Sequence, residues 1–168
     1  VYETCKELEK FFGFEVTYLG VDHKGRISLE ELEKSIRDDT ILVSIMYVNN
    51  EIGVINPIDE IKKIVKKYDK VKLHFDMVQA LGKLPIDLND VDLASFSAHK
   101  IYGLKGSGLL FKRRSTTIVP LISGGQQEFS LRGGTSNACT NIVFAKTLRL
   151  ALDNFEQKNQ HIKDINDY

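Results

Sequence analysis

The chain has 168 residues, of which 42% are hydrophobic and 27% charged, which is typical of one globular domain with a sizeable core. Its 23 lysine and arginine residues balance 23 aspartate and glutamate residues, so the charge balance favours neither nucleic acid nor an anionic membrane as a partner. No apolar run reaches the roughly 20 residues that a transmembrane helix requires.

The first part of the chain alternates helix and strand patterns. Residues 2–12 carry apolar side chains at helical spacing and are followed by Gly13, which predicts a helix that ends there. Residues 14–19 alternate as a strand does. Ser28 is followed three residues later by Glu31, a capping box that predicts a helix to about Arg37. Residues 41–48 form a continuous apolar run that is typical of a strand buried on both faces.

The alternation continues through the rest of the chain. Pro57 introduces a predicted helix over residues 58–68, whose lysines at 62–63 and 66–67 we interpret as a solvated face. Predicted strands follow at 71–75, 91–96 and 108–112. An irregular loop lies between two glycine pairs, and a helical pattern runs from residue 141 toward the end. We therefore predict an α/β fold of three layers, a mostly parallel sheet with helices on both faces.

Two cysteines, Cys5 and Cys139, show no spacing that is typical of a metal or redox site. We interpret both as reduced, intracellular residues that take part in packing.

Residues 95–103, Ser-Phe-Ser-Ala-His-Lys-Ile-Tyr-Gly, are the stretch on which the functional interpretation depends. They follow an apolar strand pattern and precede a glycine-rich turn, so His99 and Lys100 are expected on a loop at a strand terminus. In α/β folds, sites form outside the carboxyl ends of strands. An isolated pair of this kind would more simply be an exposed lysine beside a loop histidine.

Polar residues also follow the other predicted strands. Asn49 and Asn50 come after the 41–48 strand, and Asp76 comes after the 71–75 strand, with Gln79 shortly beyond it. Taken singly, Asp76 could be a helix N-cap and the asparagines a simple turn. Because parallel strands end at one edge, we expect one pocket to be lined by Asn50, Asp76, Gln79, Ser97, His99 and Lys100. His74 shares a strand face with Asp76, and we interpret it as a buried, hydrogen-bonded histidine.

This set of side chains suits pyridoxal 5′-phosphate. That cofactor requires a lysine amine for a Schiff base, a carboxylate beside the ring nitrogen, amide donors near the phenolic oxygen, and hydroxyl or imidazole donors for the phosphate. These roles are filled in turn by Lys100, by Asp76, by Gln79 with Asn50, and by Ser97 with His99.

Four motifs resemble those of one family. They are Val-Asn-Asn-Glu-Ile-Gly at 48–53, His-Phe-Asp-Met-Val-Gln-Ala at 74–80, Ser-Ala-His-Lys-Ile-Tyr-Gly at 97–103 and Arg-Gly-Gly-Thr at 132–135. In order and spacing they resemble cysteine desulfurases of the NifS/IscS type, in the class V aminotransferase group (fold type I of pyridoxal phosphate enzymes). The resemblance implies the cofactor roles given above, and it implies that Thr135 reaches the phosphate of the other subunit in a homodimer.

The resemblance also implies a reaction and its setting. The expected activity converts L-cysteine to L-alanine and an enzyme persulfide, whose sulfur passes to an acceptor or scaffold protein for iron–sulfur cluster or thio-cofactor assembly. The expected location is the cytoplasm, or an organelle matrix in a eukaryote. Residues 1–168 would form part of the cofactor-binding large domain, with the catalytic cysteine and a substrate-binding arginine beyond them. Alternatives are another class V enzyme, such as a selenocysteine lyase or aminotransferase, and a non-catalytic α/β domain.

Overall fold

In the computed structural model, which describes residues 1–167, two helices precede the sheet. Helix α1 spans Tyr2–Phe12 and ends at Gly13, whose φ of 71° is the left-handed conformation that glycine adopts readily. Helix α2 spans Leu29–Ser35 and begins after Ser28, whose hydroxyl accepts a hydrogen bond from the amide of Glu31 (3.2 Å). Both predicted helices are confirmed. The Glu31 carboxylate, however, accepts from the amide of Gly20 (3.1 Å) and so ties the preceding loop to α2.

The strand predicted over residues 14–19 is wrong. Within residues 1–167 this segment pairs with no strand and runs as irregular chain to an isolated bridge between Val21 and Ile27. Alternating side chains suit a strand, but a strand forms only where a neighbour supplies partners for its backbone groups. The four strands of the sheet pair with one another instead.

The sheet contains four strands in the order β1-β2-β3-β4. Their bounds are Leu42–Met46, Lys72–Asp76, Leu93–Ser97 and Gly108–Lys112. Strands β1, β2 and β3 are parallel, and β4 is antiparallel to β3. Helix α3, Ile58–Val65, lies between β1 and β2 in the chain. The predicted α/β class with a mostly parallel sheet is therefore confirmed.

One face of the sheet forms the core together with α3. The isoleucines at 58, 61 and 64 are buried on one stripe of the helix, and they belong to the same cluster as Leu73 and Phe75 of β2. Ile61 and Phe75 are both 0% exposed. Burial of a side chain of this size contributes about 1.5–3 kcal/mol, so this layer holds the strand ends in place.

The opposite face of the sheet is half-exposed within residues 1–167. Along β1, Val43 and Ile45 are buried whereas Leu42 and Ser44 are exposed. The expectation that this strand is buried on both faces is therefore wrong. Strand β1 is an edge strand, and only the side chains that share the α3 core are withdrawn from water.

The lysines of α3 do not form a uniformly solvated face, which corrects the interpretation above. Lys62 is only 7% exposed, and its ammonium donates to the backbone carbonyl (3.0 Å) and carboxylate (3.1 Å) of Asp87. Lys66 is exposed and pairs with Asp90 (3.0 Å). A lysine stem can be buried along apolar surface when its ammonium finds acceptors at the end, which helical spacing alone does not reveal.

The last part of the chain is helical after an irregular loop. The loop contains a short turn, α4 (Gln127–Ser130), in which Glu128, Phe129 and Ser130 have left-handed φ values. Helix α5 spans Ala138–Asp153 and begins before residue 141 because the Asn137 side chain caps the amide of Thr140 (3.2 Å). Helix α6 spans Phe155–Asn166. No helix in residues 1–167 is long and apolar enough to cross a membrane.

Candidate active site

The carboxyl end of β3 carries three of the predicted site residues. Ser97 ends the strand, and a 3-10 turn, Ala98–Ile101, follows and contains His99 and Lys100. The Ser97 hydroxyl Oγ lies 2.8 Å from Nδ1 of His99. The amide of Gly103 donates to the carbonyl of Ala98 (2.9 Å), which closes the turn. A hydroxyl, an imidazole and an ammonium group are thus carried by one short, closed segment.

Lys100 has no ionic partner among the described residues. It is half-buried, and within residues 1–167 its ammonium forms neither a salt bridge nor a hydrogen bond. Most buried or half-buried charges in proteins are paired, as Lys62 is here. A half-buried lysine at a strand terminus, without an ionic partner in residues 1–167, has an amine available for chemistry.

Asp76 ends β2 at the same edge of the sheet. In the parallel register it lies beside Met46 of β1 and Ser95 of β3, so the Ser97–Lys100 segment projects from the edge where Asp76 stands. Its Oδ1 accepts a hydrogen bond from the amide of Val78 (3.0 Å), a local cap of the following turn. Its Oδ2 has no hydrogen-bond partner within residues 1–167. The N-cap interpretation therefore accounts for Oδ1, whereas Oδ2 is available to accept a hydrogen bond from a ligand.

Gln79 lies on the turn that follows Asp76. Its side-chain oxygen Oε1 accepts a hydrogen bond from the ammonium of Lys83 (3.0 Å). The side chain of Lys83 is exposed, yet its pKa is lowered, first by the neighbouring protein atoms that displace part of its hydration and second by the charge of Lys100. The turn that carries Gln79 lies close to the turn that carries Lys100, since a Cβ on Gly82 would lie 3.1 Å from Cγ2 of Ile101. Lys83 was not predicted, although its spacing of four residues from Gln79 is a usual signal of a side-chain pair.

Two predicted residues are not joined to this group. Asn50 is exposed, and its amide donates to the carboxylate of the adjacent Glu51. The turn there is held by Asn49, whose Oδ1 accepts from the amides of Glu51 (2.8 Å) and Ile52 (3.1 Å), as in the simple-turn alternative. Thr135 is exposed in the loop before α5, and within residues 1–167 its side chain forms no hydrogen bond. Cofactor roles for Asn50 and Thr135 stay predictions.

His74 bridges three strands on the half-exposed face of the sheet. Its Nδ1 lies 2.8 Å from the hydroxyl of Ser44 on β1, and its Nε2 lies 2.9 Å from the hydroxyl of Ser95 on β3. Burial lowers the pKa of the imidazole, and the nearby Asp76 charge opposes that shift. The predicted hydrogen-bonded histidine is confirmed, although it is half-buried rather than fully enclosed.

Within residues 1–167 the cysteines and the potential metal ligands form no second site. Cys5 is half-buried in α1, whereas Cys139 is exposed in the first turn of α5, so the packing interpretation is wrong for Cys139. Residues 1–167 contain no cluster of histidine, cysteine, aspartate or glutamate that could hold a metal ion. Shallow concavities of about 370 and 240 Å³ are present, but neither is lined by Asp76 or Lys100. Among the described residues the candidate site is therefore an open edge of the sheet.

Known proteins provide a comparison for this arrangement. A sequence profile of the family "Aminotransferase class-V" matches residues 1–168. The chain is 46% identical over 170 residues to "Cysteine desulfurase IscS" of Dictyoglomus turgidum, covering 100% of this chain and 43% of that protein. The solved structure titled "NIFS-LIKE PROTEIN" has a TM-score of 0.95 at 43% identity, covering 99% of this chain and 46% of that one.

A second solved structure, titled "SspA in complex with cysteine", has a TM-score of 0.82 at 41% identity and covers 100% of this chain and 49% of that one. The chain thus spans less than half the length of these relatives. The profile match runs over the whole chain, and the fold agrees closely with NifS-like structures. The chain therefore belongs to the class-V aminotransferase family.

Proposed function

We propose that this chain is part of a pyridoxal phosphate-dependent cysteine desulfurase that converts L-cysteine to L-alanine and enzyme-bound persulfide sulfur. The single observation that supports this most strongly is Lys100, a half-buried lysine without an ionic partner in residues 1–167, at the sheet edge where Asp76 stands. The relatives named cysteine desulfurase, and a similar structure titled as a complex with cysteine, favour this substrate over other amino acids.

The residues at the edge fit the proposed cofactor by their chemistry. Lys100 is the amine that would hold the cofactor covalently. Asp76 keeps one carboxylate oxygen free to accept a hydrogen bond from the protonated ring nitrogen. Ser97 and His99 together carry hydroxyl and imidazole groups suited to a phosphate, and Gln79 has an amide suited to the phenolic oxygen. Asn50 and Thr135 complete the proposed set.

When bound, pyridoxal phosphate supplies an electron sink that stabilises negative charge at the substrate α-carbon. The protein residues have supporting roles. Asp76, as a carboxylate, keeps a proton on the ring nitrogen, because an adjacent negative charge favours the protonated form. Lys100, when its amine is free, would accept and return protons at Nζ. Ser97 and His99 would hold the phosphate and so help to orient the cofactor relative to Lys100.

We further propose that residues 1–168 belong to the cofactor-binding large domain of a homodimer in the cytoplasm or an organelle matrix. The catalytic cysteine and the group that binds the substrate carboxylate would lie outside these residues. Neither half-buried Cys5 nor exposed Cys139 stands beside Lys100 in sequence or on the same turn. The persulfide sulfur would pass to an acceptor or scaffold protein for iron–sulfur cluster or thio-cofactor assembly.

The test is a Lys100→Ala substitution in the full-length protein. The wild type should show a near-visible absorbance band that borohydride reduction traps covalently, and it should release alanine and sulfide from L-cysteine with a thiol reductant. The variant should lose both properties, because the only covalent anchor is removed. Lys105→Ala, an exposed lysine on the following turn, is the matched control and should keep both.

An unchanged trapped adduct in Lys100→Ala would show that another lysine holds the cofactor. An absorbance band that depends on Lys100, without sulfide release, would instead support another class V activity. Turnover of selenocysteine would then indicate a selenocysteine lyase, and turnover of an amino donor with a 2-oxo acid would indicate an aminotransferase. Absence of any band would support a non-catalytic domain.

A further inference from the structure

The turn that follows Asp76 is rigid and built around buried residues. The carbonyl of Met77 accepts from the amides of Ala80 (3.0 Å) and Leu81 (3.1 Å), and the carbonyl of Ala80 accepts from those of Lys83 (3.0 Å) and Leu84 (2.9 Å). Met77, Ala80 and Leu81 are buried. The backbone on both sides of Gln79 and Lys83 is therefore held by hydrogen bonds and by the core.

This turn is packed directly against the segment that carries Lys100. Gly82 has a φ of 70°, and a Cβ at this position would lie 3.1 Å from Cγ2 of Ile101 and 3.3 Å from Cβ of Ala151. Ile101 ends the 3-10 turn that contains Lys100. The absence of a side chain at Gly82 thus allows the Gln79–Lys83 turn to approach the Lys100 turn closely.

The contact between Lys83 and Gln79 has a defined direction. An ammonium group has three donors and no acceptor, so only the amide oxygen of Gln79 can face it. Oε1 of Gln79 does face Nζ of Lys83, at 3.0 Å. The amide nitrogen, with its two donors, must then point away from Lys83. If Lys83 were absent, this hydrogen bond would be lost and would no longer favour one orientation of the Gln79 amide over the other.

We propose that Lys83 is a positioning residue that fixes the Gln79 amide so that its nitrogen, rather than its oxygen, is presented to the cofactor's phenolic oxygen. The inference rests on the proposed function, since it assigns a partner to the Gln79 nitrogen. A donor stabilises a phenolic oxygen that carries negative charge, whereas an amide oxygen at the same place would repel it. Lys83 is exposed, so its ammonium is kept near Gln79 by the 3.0 Å hydrogen bond to Oε1 rather than by burial.

The experiment measures cofactor binding in the full-length protein. Apoprotein is titrated with pyridoxal phosphate, and the Kd and the pH profile of the absorbance band are recorded for wild type, Lys83→Met, Lys83→Arg, Gln79→Ala and the Lys83→Met/Gln79→Ala double variant. Lys63→Met, an exposed lysine on α3, is the matched control. Unfolding temperature is measured in parallel for each variant.

We expect Lys83→Met to raise the Kd roughly fivefold to tenfold, the effect of one lost hydrogen bond, and to move the pH profile of the band. Lys83→Arg should keep the Kd and the pH profile close to those of the wild type, since an arginine side chain also donates hydrogen bonds without accepting any. In the Gln79→Ala background, Lys83→Met should add little, because its effect passes through Gln79.

Three results would overturn the inference. One is a Lys83→Met variant that matches Lys63→Met in Kd and pH profile, and another is an effect of equal size in the Gln79→Ala background. The third is a Lys83→Met variant whose unfolding temperature falls while its absorbance band and the pH profile of that band stay unchanged. In all three the wild type still binds cofactor through Lys100 and the proposed function stands. A wild type without a cofactor band would overturn the proposed function and this inference together.

Discussion

Asp76 and Ser95 are register partners in the parallel pair of β2 and β3, and the carbonyl of Ser95 accepts a hydrogen bond from the amide that follows Asp76, that of Met77 (3.0 Å). The backbone of Asp76 is therefore held on both sides at the point where β2 ends. Its carboxylate is placed by the sheet rather than by a mobile loop, and this defined position is what a partner for a cofactor ring requires.

Asp76→Asn should separate the structural role of this residue from its proposed electrostatic role. Asparagine keeps an oxygen that can accept from the amide of Val78, so the unfolding temperature should change little. Loss of the charge should lower kcat for cysteine about 10²-fold to 10³-fold, the usual effect of removing one electrostatic contact to the reacting system. Asp76→Ala should in addition cost about 1 kcal/mol of stability, because the Val78 amide loses its acceptor. Activity is measured as alanine release, and stability by urea unfolding. An Asn variant with wild-type kcat would contradict the role of Asp76.

The pH dependence of stability should report His74. Its pKa in the folded protein is lowered from the ordinary value of 6.5, chiefly by burial, so the unfolded chain takes up a proton first as pH falls. The free energy of unfolding that the neutral imidazole contributes should be fully present above pH 6.5. It should begin to fall as pH drops below 6.5, and it should be lost once pH drops below the pKa of His74 in the folded protein. His74→Gln keeps hydrogen-bonding groups and does not titrate.

The measurement compares the free energy of unfolding of wild type and His74→Gln from pH 8 to pH 5. The difference between them should shrink or reverse in sign as pH falls through 6.5. His161→Gln, an exposed histidine on α6, is the control and should follow the wild type. A difference that is independent of pH would show that His74 keeps its ordinary pKa in the folded state.

Gly82→Ala tests the close approach of the two turns. A Cβ at this position would lie 3.1 Å from Ile101, and φ is 70°, so the variant combines crowding with left-handed strain. Strain alone costs about 1–2 kcal/mol. Gly13→Ala is the matched control, since its φ is 71° and no atom lies within 4 Å of its Cβ position. Urea unfolding should show a larger loss for Gly82→Ala, together with weaker cofactor binding. Equal losses would mean that the packing at Gly82 relaxes freely.

Residues 1–168 alone should release no sulfide from L-cysteine above the rate with free pyridoxal phosphate. The proposed catalytic cysteine and the group that orients the substrate lie outside them, and orientation contributes roughly 7–11 kcal/mol of a barrier. The assay measures sulfide and alanine with added cofactor. Release well above the free-cofactor rate that disappears in Cys139→Ser would show that the exposed Cys139 is the missing nucleophile.

Several parts of the fold follow from local patterns. Helix α1 ends at Gly13 as predicted, because a left-handed residue at a helix end needs no tertiary partner. Strand β4 has its predicted bounds, and β2 and β3 lie within one or two residues of theirs. The sequence also identified the strand ends that carry Asp76, Ser97, His99 and Lys100, since strand termination and the polar residues that follow are local features.

Other features were decided only by tertiary structure. Within residues 1–167 the alternating segment 14–19 is not a strand because no strand pairs with it, and β1 is exposed on one face because the core shared with α3 covers only the other face. Lys62 is buried because Asp87, distant in sequence, supplies its acceptors. The close approach of the Gln79–Lys83 turn to the turn that carries Lys100 depends on Gly82, which has no side chain. Local sequence determines which residues can begin, end or cap a helix or strand. Which side chains are buried, and which residues they contact, depends on which helices and strands pack together, and this is set by the packing of the whole chain.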